Sequence, residues 1–80
     1  MLTLKVISPE KIIFTGEVES VTVPGTLGEF EVLDGHAPLI SSLEKGTVVY
    51  KPVQGERAQL AIRGGFVEVQ KNQISLCVEL

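Results

Sequence analysis

The chain has one cysteine, one histidine, one tyrosine and no tryptophan. A lone thiol, Cys77, excludes an internal disulfide and fits a reducing compartment. It stands in Ile74-Ser75-Leu76-Cys77-Val78-Glu79-Leu80, a strand-like run in which it reads as a small packed side chain. No His or Lys adjoins it in sequence to lower its pKa. A lone His36 leaves a zinc or iron site short of ligands. A nucleophilic pair of His36 with Cys77 would also need an orienting group and an oxyanion pocket, and no motif supplies them. The expectation is therefore no catalytic residue, no metal and no cofactor. No segment approaches the roughly 20 apolar residues needed to cross a bilayer. The start, Met1-Leu2-Thr3-Leu4-Lys5-Val6-Ile7, lacks the apolar core of a signal peptide. Direct membrane insertion is not expected. The net charge is −3, and Lys5, Lys11, Lys45, Lys51, Arg57, Arg63 and Lys71 are scattered without forming a stripe, which argues against nucleic acid as a partner.

What is present is strand-forming residue after strand-forming residue. With 80 residues, the chain is expected to form one domain, residues 1–80. A domain of that size buries only about 60% of its unfolded surface and is held by a thin margin. Leu2, Leu4 and Val6 alternate with polar neighbours, so they share one strand face. Ser8-Pro9-Glu10 breaks the run, and Ile12-Ile13-Phe14 forms a short segment closed by Thr15-Gly16. From Glu17 to Val23 the odd positions change from acidic to apolar, the mark of a strand entering the core, or of a bulge. Pro24-Gly25 is read as a turn. In Gly28-Glu29-Phe30-Glu31-Val32, Phe30 and Val32 point inward and Glu29 and Glu31 outward. Asp34-Gly35 is a second turn, and Pro38, which lacks a backbone donor, marks a strand entrance or edge.

The second half continues the pattern. Strand candidates occupy Leu39–Leu43, Thr47–Lys51, Gln59–Arg63, Phe66–Gln70 and Ile74–Val78, with Lys71-Asn72-Gln73 as a hairpin connection. Gly64-Gly65 meets a need for unusual backbone angles or close strand approach, and Phe66 just beyond is expected to plug one end of the core. The result is about eight or nine short strands, no helical period and no room for repeated βαβ crossovers, which predicts an all-β sandwich or barrel.

The remaining motifs carry little chemistry. Gly25-Thr26-Leu27-Gly28 lacks the Lys-Ser/Thr of a phosphate loop, and Gly64-Gly65-Phe66 lacks a dinucleotide fingerprint. Glu44-Lys45-Gly46 has neither flank of a biotin- or lipoyl-carrying hairpin. Glu29 and Glu31 share a strand face, where they fit either a solvated edge or a basic partner. His36 either braces the loop beside Gly35 or touches a partner.

Val23-Pro24-Gly25, Gly28-Glu29-Phe30-Glu31-Val32, Gly35-His36-Ala37-Pro38-Leu39 and Gly64-Gly65-Phe66-Val67-Glu68-Val69 occur in this order over nearly the whole chain. Together they closely resemble the epsilon subunit family of rotary F-type ATP synthases, whose mitochondrial counterpart is called delta. The resemblance implies a flattened β-sandwich of about ten short, mainly antiparallel strands. It also implies a non-catalytic rotor element at the foot of the central stalk that binds the gamma subunit and the c-subunit ring, peripheral to the cytoplasmic face of a bacterial plasma membrane. By position, Glu29, Glu31 and His36 would face the polar, Arg-bearing loops of the c ring, while Gly28, Gly35 and Pro38 would shape the loop. Asp34 stands where the family more usually has proline. Bacterial members typically continue into a helical hairpin that inhibits ATP hydrolysis, and neither hairpin nor inhibition is assigned to these 80 residues. The competing expectation is a β-sandwich adaptor of another soluble complex.

Overall fold

Alternating burial organises every strand of the computed structural model, which describes residues 1–80. Leu2, Leu4 and Val6 of β1 (Leu2–Ile7) face the core while Thr3 and Lys5 face solvent, as strand periodicity requires. The other strands are β2 (Ile12–Gly25), β3 (Gly28–Val32), β4 (Leu39–Leu43), β5 (Gly46–Pro52), β6 (Ala58–Ile62), β7 (Gly64–Gln70) and β8 (Gln73–Glu79). There is no helix, so none that is long and apolar enough to cross a membrane. The strands order as β1-β8-β7-β4-β2-β5-β6, with β3 on β2 and a further β1–β2 pairing. All pairings are antiparallel except β1 with β8.

Strand β2 joins the two halves of this sheet. Its first part pairs with β1, its last part with β3, and its middle with β5. The register slips between Val18 and Ser20, so Glu19 is an extra residue against β5. That bulge reverses the inward phase: Val18 is buried before it, Val21 and Val23 after it. The acidic-to-apolar change along one parity is thereby explained. Sixteen buried side chains form one core between the layers, and the overall dimensions of 27 × 24 × 18 Å are those of a flattened body.

Four expectations are corrected. Thr15-Gly16 closes nothing: Thr15 and Gly16 pair with Lys5 and Leu4, so the two predicted segments are one 14-residue strand, and the strands number eight where the resemblance implied about ten. Pro24-Gly25 lies inside that strand, and the chain reverses at Thr26-Leu27 between the paired Gly25 and Gly28. Proline is tolerated because its backbone edge faces the β4–β5 turn, where its carbonyl accepts from Glu44 N (2.9 Å), so no β2–β3 ladder bond is lost. Phe66 does not plug the core: Val67 and Val69 take the inward phase and Phe66, 46% exposed, shares the outward phase with Glu68. The β7–β8 hairpin turns at Lys71-Asn72, with φ of 50° and 60°, while Gln73, expected in the connection, already belongs to β8 and pairs with Gln70.

Candidate functional site

Gly25 pairs with both Gly28 of β3 and Leu43 of β4, and from that point the two strands diverge. Residues 33–38 span the gap between them. The first four form a turn closed by His36 N donating to Leu33 O (3.1 Å), with Gly35 third at φ +80°, a backbone angle suited to glycine. Pro38 then leads into β4, as its missing donor predicts. The hydroxyls of Thr26 and Ser42 lie 2.9 Å apart and tie the β2–β3 turn to β4.

This opening holds a shallow depression lined by Leu27, Gly28, Glu29, Phe30, His36 and Ile40, among others. Glu29 and His36, two of the three residues expected at a partner surface, come together there. Glu31 is exposed on the same strand but does not line it. Gly28, at φ +131°, is part of its lining, whereas Gly35 and Pro38 are not. His36 is half-buried, its ring 6.5 Å from that of Phe30. Its Nδ1 lies 2.8 Å from the Ala37 carbonyl oxygen. A carbonyl oxygen only accepts, so Nδ1 carries the proton and, in the neutral ring, Nε2 is the acceptor. The structure's one ion pair joins the Met1 amino group to Asp34 (3.6 Å), so Glu29 and Glu31 have no internal counter-charge. The corner thus offers carboxylate and imidazole acceptors, and no Lys or Arg lines it.

Two residues belong to this corner that the sequence reading passed over. Leu27, at the tip of the β2–β3 hairpin, is fully exposed, and Ile40 of β4 is 74% exposed. Leu27 is placed outward by the Gly25–Gly28 pairing, which puts the reversal at Thr26-Leu27 and not at Pro24-Gly25. Ile40 is placed outward by its register against exposed Glu68. His36 and Cys77 line different depressions: Cys77 shares a groove with Ile7, Pro9 and Phe66 on the outer face of β1, β8 and β7.

Fold and site define a two-layered β module with an open, acceptor-rich corner rimmed by exposed aliphatic side chains. Residues 1–80 match the family model described as the β-sandwich domain of the ATP synthase delta/epsilon chain, and the chain belongs to that family. It is 44% identical to the ATP synthase epsilon chain of Leptospira interrogans over 98% of its own length and 61% of that protein's. It is also 44% identical to the epsilon chain of Desulfitobacterium hafniense, over 96% of its own length and 58% of the relative's. The chain therefore spans about three-fifths of the curated relatives it matches. Its fold superposes with a TM-score of 0.88 on a chain in the mitochondrial ATP synthase of Euglena gracilis, in a structure of OSCP, F1 and c-ring, at 25% identity over 96% of this chain and 49% of that one. A central stalk and c-ring structure from Tetrahymena thermophila gives a TM-score of 0.82 at 16% identity, over 99% of this chain and 63% of that one, a likeness of fold.

Proposed function

We propose that residues 1–80 act as one non-catalytic domain that couples the rotor of an F-type ATP synthase, binding the gamma subunit and the c-subunit ring. It sits peripherally at the cytoplasmic face of a bacterial plasma membrane. The observation that carries this reading is the pairing of Glu29 and His36, both free to accept, with the exposed Leu27 and Ile40. Donor-rich polar loops of a c ring would satisfy the acceptors, and their aliphatic atoms would cover Leu27 and Ile40. Glu31 adds charge beside the contact and steers approach without seating in the depression. The gamma subunit takes a sheet face and edge, and the outward row of Phe66, Cys77 and Ile7, in register across β7, β8 and β1, supplies apolar area for it.

A rotor joint transmits torque, so its parts must resist shear. Two sheet layers sharing a continuous strand and one core provide stiffness, because every strand is tied to at least one neighbour by backbone hydrogen bonds. Charged and polar contacts at the joint fix orientation more than they add affinity. Gentle extraction of the tagged chain with its membranes tests the reading. Co-purification of gamma and c subunits is the expected result, and a stable complex containing neither makes the chain an adaptor of some other assembly.

A further inference from the structure

The loop that carries His36 is hydrogen-bonded from outside by one side chain and meets one outside charge, the Met1 amino group. Asn72, in the β7–β8 turn, accepts from Gly35 N through Oδ1 (2.9 Å) and donates from Nδ2 to Asp34 Oδ1 (2.5 Å). These two bonds tie residues 33–38 to the rest of the chain, and the other hydrogen bonds of the loop are internal to it. Asn72 is itself fixed: its φ of 60° belongs to the tight hairpin turn, and its carbonyl accepts from Thr3 N (2.9 Å), which anchors the turn to β1. The Met1 amino group, 3.6 Å from Asp34 Oδ2, lies on the same carboxylate.

We propose that Asn72 is a positioning residue for the partner-binding corner. Through Asp34 and Gly35 it sets the turn that holds the His36 ring 6.5 Å from that of Phe30, with Nδ1 on the Ala37 carbonyl and Nε2 left as the acceptor. The proposal rests on the reading of that corner as the c-ring contact. Asn72 and Asp34 are nearly forty residues apart in sequence, and each alone reads only as a turn residue; their pairing makes the β7–β8 hairpin part of the recognition site. A loop fixed before binding loses less entropy on association, so its release weakens the complex even when every contact residue is intact.

The test uses Asn72→Gly in the full chain. Glycine adopts positive φ readily, so the hairpin survives while the amide is removed. One neutral bond, to Gly35 N, and one charge-assisted bond, to the Asp34 carboxylate, correspond to roughly a tenfold effect or more. Hydrogen exchange at the Gly35 amide should accelerate about tenfold while exchange at Val69 and Ile74 stays at the wild-type rate. Binding to a purified c ring carrying gamma should weaken by about five- to tenfold. Asp34→Asn keeps an acceptor for Nδ2 and should hold Gly35 exchange near wild type, whereas Asp34→Ala should raise it. Unchanged Gly35 exchange in Asn72→Gly overturns the clamp. Faster exchange with wild-type affinity overturns its role in recognition. A wild-type chain that ignores the c ring overturns the partner reading and the proposal with it, and the exchange data identify that case as a failure of the partner and not of the clamp.

Discussion

A Cβ placed on Gly65 would overlap the carbonyl oxygen of Cys77 and lie 2.9 Å from the Val78 Cα. Strand β7 therefore approaches β8 at Gly65 as only glycine allows, and its φ of +146° adds a second restriction. Gly65→Ala should cost about 3 kcal/mol or more, combining backbone strain with a clash against main chain that cannot swing aside. Gly35→Ala, in open space at φ +80°, should cost only about 1 kcal/mol. Urea unfolding of the two variants should separate them clearly, and equal midpoints would show that close strand approach is not what selects Gly65.

Leu76 is completely buried and belongs to β8, the strand that links β1 to β7. Leu76→Ala should destabilise by about 2–5 kcal/mol through lost transfer energy and the cavity left behind. For a domain whose total stability is of order 5–15 kcal/mol, that is a large fraction, and the variant should melt many degrees below wild type. A shift of only a degree or two would mean the core repacks.

Leu27 touches no core residue, so Leu27→Ser should leave the unfolding midpoint within about 0.5 kcal/mol of wild type. The same change should weaken c-ring binding about fivefold or more, since it removes an apolar anchor from the corner. Calorimetric unfolding and a binding titration on one preparation check both halves.

Exposed carboxylates without an internal counter-ion give a salt-dependent association. The on-rate for a c ring should fall as ionic strength rises, because screening shortens to about 8 Å near 0.15 M. Glu31→Gln should flatten that dependence while changing the dissociation rate little, as befits a residue beside the depression and not in it. Stopped-flow association at several salt concentrations reads the slope.

The sequence was most transparent where alternation was strict. Leu2, Leu4 and Val6, Phe30 and Val32, and Ile74, Leu76 and Val78 all take the faces that their spacing predicts, since a period of two leaves a strand no alternative. Local rules failed where tertiary pairing overrode them. Thr15-Gly16 and Pro24-Gly25 look like punctuation, yet β1 pairs through the first and β3 through the second. Phe66 follows the phase set by Val67 and Val69, against the pull of its own hydrophobicity. The resemblance grouped Glu29, Glu31 and His36, of which Glu29 and His36 line one depression; the placing of Ile40 and Asn72 beside them depends on which strand or loop lies opposite, and spacing along one chain does not encode that.

The central claim is that an exposed corner of acceptors seats this domain on a ring of ion-translocating subunits. The most direct measurement is the affinity of Glu29→Gln/His36→Ala for a purified c ring carrying gamma, compared with wild type and paired with a melt of each protein. The account predicts unchanged melting and binding weakened at least tenfold, the scale of about 1.4 kcal/mol. Wild-type affinity in the double variant, with its fold intact, would contradict it.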